Sequence, residues 1–310
     1  MNIKYPEELN FLNSGKQPIE KSDVSIQGKV VVITGATSGV GLQTAYECAS
    51  HGAHLILVAR SESKANKVAK SCNELGASKI DIVIADLSLL TQVRRCAQEI
   101  EKLTPSIDVL IHSAGMHSTK RILTSEGLEI VFALNHCASF LLTVLLIPQL
   151  KHSQQSQVLF INSEGHRFNG LNLNDLDWKK RLYTGLRSYG ASKTAQLLSM
   201  LEINNRLMNT NIVVNAMHPG DVKTNIGQNN GWLYRLFSKL FIQPILKDPH
   251  QSGQAIYTLI SKPEYAYTRN AFYHYTTLEL VARHARDRKI SPQVFQKTCE
   301  LCDLDSSSIY

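Results

Sequence analysis

The fold class predicted by the sequence is α/β: one doubly wound domain with a central parallel sheet and helices on both faces. Three observations predict it. From Gly28 onward, short β-branched runs alternate with longer helical patterns. The strand runs are apolar nearly throughout, as strands buried on both faces of a parallel sheet must be. The alternation continues for more than 200 residues without a break in composition, which argues for a single layered unit.

The elements follow in order. "KVVVITG" precedes the helical "VGLQTAYECASHG", and "AHLILVAR" precedes "SKANKVAKSCNELG". "IDIVIADL" leads to "LLTQVRRCAQEIEKL", and "IDVLIHSAG" leads to a long helix around Asn135. "SQVLFINS" passes through a loop to "YGASKTAQLLSMLEINNRL", and "NIVVNAMHPG" closes the series. The last 40 residues are strand-like at "AFYHY" and helical afterwards. Residues 1–27 read as an N-terminal extension, and 28–310 as the domain.

The segment 225–249 interrupts the pattern. Trp232, Leu233, Leu236, Phe237, Leu240 and Phe241 share a helical face that needs a partner. Three readings stay open: a helix docked on the body, a lid over an apolar substrate, or a contact with a membrane surface.

Composition narrows the function classes. The chain has 310 residues and a formal net charge of +7, from scattered lysines and arginines. No basic block with interleaved aromatics occurs, so no nucleic-acid partner is expected. Six cysteines lie thinly spread, mostly in apolar helical patterns, which reads as reduced buried thiols. Cys299 and Cys302 form a CxxC, but they fall on one face of a terminal helix rather than after a strand. The polar N-terminus lacks a secretory h-region, and "FLLTVLLIPQL" is too short for an integral membrane segment. A cytoplasmic protein is expected. With no HExxH and no clustered carboxylates in the sequence, no metal is expected.

"VVITGATSGVG" (31–41) sets Gly35, Gly39 and Gly41 between a strand and a helix. A helix start offers unpaired N–H groups and a positive dipole end, and missing side chains let phosphates approach the backbone. Thr37, Ser38 and Val40 complete this turn. It is the context a dinucleotide-binding motif requires. At the end of the second strand, where an acid would accept ribose hydroxyls, Ala59 is followed by Arg60. A guanidinium there can fork onto a 2′-phosphate, so NADP(H) is favoured over NAD(H). Asp86 and Leu87, past the third strand, are placed for the adenine edge.

"RSYGASKTAQ" puts Tyr189 and Lys193 on one helical face, at i and i+4. A neighbouring ammonium is expected to lower the phenol's pKa, making Tyr189 a usable acid–base.

With these residues in view, the chain resembles the short-chain dehydrogenase/reductase family. "TGATSGVG" matches its TGxxxGxG, "HSAG" (112–115) its NNAG, and Tyr189 with Lys193 its YxxxK. Asn135, Ser163 and "HPGDVKT" (218–224) follow in family order, over about residues 28 to 303. Within the family the chain looks most like the retinol dehydrogenase and WW-domain oxidoreductase-like branch, through "EGHRF", "KDPHQSGQAIYTL" and the C-terminal "VFQKTCELCDL". The resemblance implies a Rossmann fold and hydride transfer between NADP(H) and a carbonyl or alcohol. Tyr189 would move the proton. Lys193 would lower its pKa and hold the nicotinamide ribose, Ser163 would hydrogen-bond the carbonyl oxygen, and Asn135 would hold a relay water. Ser113, Ala114, Gly115, Pro219 and Gly220 would line the cofactor, with Val222 and Thr224 at its carboxamide.

Two departures stand out. His112 and Ser113 replace two asparagines, which is expected to loosen contacts at the central strand. Asn162 stands where a second serine is usual. His136 reads as a packing or hydrogen-bonding residue, and His166 as a loop residue at the substrate mouth. The resemblance leaves a homo-oligomer open, since the helices around Asn135 and Tyr189 dimerise in many relatives. The expected activity is an NADP(H)-dependent carbonyl reductase or alcohol dehydrogenase acting on a fairly apolar small molecule. The alternatives are an NAD-dependent alcohol dehydrogenase of the same fold, or a non-catalytic dinucleotide-sensing protein.

Overall fold

The computed structural model describes residues 18–220 and 249–308. Three strand–helix repeats and a fourth strand come first: β1 (Val30–Thr34), α1 (Gly39–Ser50), β2 (His54–Ala59), α2 (Glu62–Leu75), β3 (Lys79–Ile84), α3 (Leu90–Leu103) and β4 (Val109–His112). Next is α4, built from Ile130–Phe132, a π-helical turn Ala133–Cys137, and Ala138–Leu145. It is followed by α5 (Ile147–His152), β5 (Ser156–Ile161), α6 (Gly185–Arg206) and β6 (Ile212–His218). The chain ends with α7 (Pro249–Ser261), β7 (Phe272–His274), β8 (Thr277–Leu278) and α8 (Ser291–Leu301).

The strands form one eight-stranded sheet in the order β3-β2-β1-β4-β5-β6-β7-β8. Every pair is parallel except β7 with β8. The order reverses between β1 and β4, which is where a doubly wound sheet opens a crevice beyond its strand ends. β1 shows why its run is apolar on both faces. Val32 packs with Leu110, Val158 and Val214 on one side, while Val31 and Ile33 pack with Leu55, Leu57 and Ile111 on the other. Burying each such side chain contributes about 1.5–3 kcal/mol, so a polar residue at any of these positions would be strongly disfavoured.

All six cysteines are free and buried, Cys299 and Cys302 among them. Residues just before β1 are tied to α7: Thr258 Oγ1 donates to the Glu20 carbonyl (2.9 Å) and Ser261 Oγ to Ser22 Oγ (2.8 Å). The apolar segment expected at 225–249 lies outside the described residues, apart from Pro249, which opens α7. Among the described residues, no helix is long and apolar enough to cross a membrane.

Candidate active site

A cleft of about 1540 Å³ runs along the C-terminal ends of the strands. That exceeds the ~300–1,000 Å³ of a typical small-molecule site, leaving room for two ligands side by side. Its floor at one end is the β1–α1 turn. Gly35 has φ +70°, and a Cβ there would lie 2.8 Å from Ala114 Cα, so only glycine lets this turn pass the end of β4. Ala114 N–H donates to Thr34 Oγ1 (3.1 Å), which fixes the same junction.

The start of α1 faces this cleft through Thr37, Ser38, Gly39 and Val40. No side chain caps its N-terminus, and no acid stands in its first turn. The free N–H groups and the positive dipole end therefore suit a phosphate. Gly41 is packed against Gly35 beneath the turn instead of lining the cleft.

At the far end, beyond β2, exposed Arg60 borders the cleft together with Lys64 on α2. Lys64 was not singled out in the sequence. Its signal was there: it is a second cation four residues after Arg60, in the first turn of the helix that follows β2. Leu87 lines the wall as expected, but Asp86 does not: its Oδ1 accepts from Ser88 N–H (3.0 Å) and Ser88 Oγ (2.8 Å). Oδ1 of this carboxylate is thus held in a local turn, and Asp86 stands outside the cleft lining. Ser113, Ala114 and Gly115 line the middle, and Pro219 and Gly220 the opposite wall. Val222 and Thr224 lie outside the described residues.

The predicted catalytic residues converge. Ser163, at the end of β5, and Tyr189 and Lys193, on α6, all border the cleft. Ser163 Oγ accepts from Gly165 N–H (3.0 Å), so the hydroxyl is held in one place. Gly165 was not foreseen, and it is indispensable: a Cβ there would sit 2.6 Å from the Tyr189 ring. His117, also unforeseen, lies edge-on to Tyr189 with ring centroids 5.9 Å apart and lines the cleft.

The electrostatics differ from the sequence expectation. Lys193 Nζ donates to the Ile161 carbonyl (2.7 Å) and lies 5.6 Å from the Tyr189 ring centre. Burial pushes the Tyr189 phenol up, and a hydrogen bond with Ser163 works the other way. The expected lowering by Lys193 is thus absent, because burial dominates and the ammonium is directed at a backbone carbonyl. Burial acts on Lys193 too, bringing it down to about 7. Tyr189 is a protonated phenol at neutral pH, beside an amine able to gain or lose a proton there.

Asn135 sits in the π-helical turn, a feature common at functional sites. Its Oδ1 accepts from Met116 N–H (2.8 Å), and its Nδ2 donates to the Met116 carbonyl and to Ser192 Oγ (both 3.0 Å). It locks the loop after β4 onto α6. Asn162 makes a second tie: Nδ2 donates to the Lys193 carbonyl (3.1 Å), and Oδ1 accepts from Ser163 N–H (2.8 Å). Glu129 makes a third, capping Val131 and Phe132 N–H and accepting from Ser188 Oγ (3.1 Å).

The histidines sort themselves. His112 bonds Thr143 Oγ1 through Nε2 (2.8 Å) and stacks on Phe160, so the expected loosening of the central strand does not occur. His136 packs and bonds Thr298 Oγ1 (2.8 Å), as expected. His166 corrects the expectation of a mouth residue. It is fully buried, with Nδ1 2.8 Å from the Ser163 carbonyl and Nε2 accepting from Ala282 N–H (3.1 Å). The mouth is instead bordered by Phe168 and Leu186, both more than half exposed.

Known proteins are similar to this chain in sequence and fold. The family model described as short chain dehydrogenase matches residues 29–231. The chain is 31% identical to retinol dehydrogenase 13 of Homo sapiens over 305 residues, covering 97% of this chain and 91% of that protein. It is 33% identical to the WW domain-containing oxidoreductase of Homo sapiens over 245 residues, covering 76% of this chain and 59% of that protein. Among solved structures, an uncharacterized protein of Mycobacterium paratuberculosis superposes with a TM-score of 0.73 at 27% identity, covering 91% of this chain and 97% of that one. L-Sorbose reductase of Gluconobacter frateurii, complexed with NADPH and L-sorbose, shares the fold with a TM-score of 0.64 at 22% identity, covering 82% and 97%.

Proposed function

The chain belongs to the short-chain dehydrogenase/reductase family, a family of oxidoreductases, and on that premise we propose an NADP(H)-dependent reductase of carbonyl groups. The observation that carries this reading is the meeting of Ser163, Tyr189 and Lys193 in one cleft with the uncapped start of α1.

The residues present fit a phosphorylated dinucleotide. The open N-terminus of α1 would take the pyrophosphate, over the close approach that Gly35 permits. Arg60 and Lys64 offer two cations, and no acid, where a 2′-phosphate would lie. When bound, the nicotinamide supplies the hydride. Tyr189, kept protonated by its burial, donates a proton to the carbonyl oxygen. Ser163, held by Gly165 N–H, orients the same oxygen. Lys193, near neutrality, returns a proton to the tyrosine. Asn135 keeps the loop after β4 fixed to α6, and a water relay behind Lys193 remains part of the proposal. Phe168 and Leu186 at the mouth favour a fairly apolar substrate.

A panel of aliphatic, aromatic and polyene aldehydes and ketones, followed by loss of NADPH absorbance with an NADH control, tests this. NADPH-dependent turnover of apolar carbonyls is expected. Preference for NADH, or turnover with neither nucleotide, overturns the reading.

A further inference from the structure

Beside the catalytic serine, three potential ligands from distant parts of the chain come together, two of them, Glu164 and His218, at the cleft wall. Glu164 follows Ser163, His218 ends β6, and His274 ends β7. One donor atom from each lies within 4.8 Å of the others. His218 and His274 are 4% and 9% exposed, with ring centroids 4.6 Å apart. Nδ1 of His218 and Oε1 of Glu164 are buried without a hydrogen-bond partner. A buried polar atom left unpartnered carries a desolvation penalty, so native proteins almost always satisfy it.

From this cluster we propose a binding site for a divalent transition metal of the zinc type, held by Glu164, His218 and His274. Two imidazoles and a carboxylate form a donor set suited to such ions rather than to magnesium or calcium, which prefer all-oxygen shells. The local charge agrees. Glu164 and Glu279 are two carboxylates facing one guanidinium, Arg167, which bonds both. Arg167 engages Oε2 of Glu164 and leaves Oε1 for the ion. Glu279 Oε2 also lies 3.3 Å from His274 Nδ1, placing a carboxylate beside a ligand imidazole, as around many metal-binding histidines. Donors around a tetrahedral zinc stand about 3.3 Å apart, given bonds of about 2.0–2.1 Å. Closure therefore asks for a small inward shift of the three side chains.

The position gives the ion a structural task. It would join the end of β6, just before the Pro219–Gly220 wall, to the turn that carries Ser163. This inference does not depend on the redox reading, because its test reads metal directly.

The full chain, stripped of metal and kept reduced, is titrated with Zn²⁺ by calorimetry and with Co²⁺ by visible absorption, with Mg²⁺ as a control. The expected result is one equivalent of Zn²⁺, a Co²⁺ spectrum of nitrogen and oxygen ligands, and a rise in melting temperature. Glu164→Gln and His274→Asn should each weaken Zn²⁺ binding by ~10-fold or more; His152→Asn, at an exposed position, should leave it unchanged. If His274→Asn does not fold, Glu164→Gln decides alone. Absence of stoichiometric binding, binding undiminished in Glu164→Gln, or thiolate charge-transfer bands from cysteine ligation overturns the proposal.

Discussion

The two halves of the sheet are built from different materials. On the side of β3, β2 and β1, the described interior is aliphatic, and its buried polar groups include the threonines Thr34 and Thr44 but no histidine or charged side chain. On the side of β4 to β7 it contains His112, His136, His166, His218, Asn135, Asn162 and Lys193, all buried. The first half presents a backbone turn and, at its edge, the exposed cations Arg60 and Lys64 to the cleft, and the second presents buried polar side chains. Binding a pyrophosphate needs little more than a turn and a helix start. Moving a proton needs ionisable groups held by neighbours, and each buried group demands a partner of its own.

Substitutions can break this contrast, and the largest effect on cofactor binding is expected at the backbone end. Gly35→Val forces a side chain into space closed by Ala114, at a positive φ, and should weaken NADPH binding by ~100-fold or more by calorimetry. A variant that binds normally would show that the close approach is unimportant. At the side-chain end, Gly165→Ala pushes on the Tyr189 ring. It should lower kcat by ~10–100-fold, as misplaced catalytic groups do, with nucleotide binding preserved.

Arg60→Ala, alone and with Lys64→Ala, sharpens the charge assignment. Loss of one charge-assisted contact, of about 1.5–3 kcal/mol, should reduce the preference for NADPH over NADH by ~10-fold or more. The preference in 0.5 M salt should fall less on mutation than at low salt, by about the amount screening removes.

The smallest effect concerns His112. Burial brings it down to about 3 in the fold, from an ordinary value of 6.5. The unfolded chain therefore takes up a proton, between those values, that the native state refuses. Stability contributed by neutral His112 is present above pH 6.5 and is lost as pH falls toward 3. His112→Asn should flatten the denaturant-midpoint curve over that window, by comparison with the parent.

The same contrast governs how much could be read from sequence. The sheet, the glycine turn and the pairing of Tyr189 with Lys193 were legible, because strand period, turn chemistry and helical spacing are local properties, while Ser163 was supplied by the family resemblance. Lys64 was within reach, four residues from Arg60 in the first turn of the next helix. What escaped notice depends on contacts distant along the chain. Gly165 matters only because Tyr189 packs on it, and His166 is buried only because Ala282 and Phe272 close over it. The tyrosine's raised pKa is of the same kind: spacing places Lys193 nearby, but the Ile161 carbonyl decides where its ammonium points. Glu164, His218 and His274 share no linear motif at all.

The most direct test of proton transfer from a protein phenol is Tyr189→Phe, with turnover and NADPH affinity measured on the same sample. The expected outcome is a loss of turnover of ~10²–10⁴-fold, the usual contribution of a general acid, with affinity changed no more than a few-fold. A variant that still reduces its carbonyl substrate at the parent rate would contradict the account.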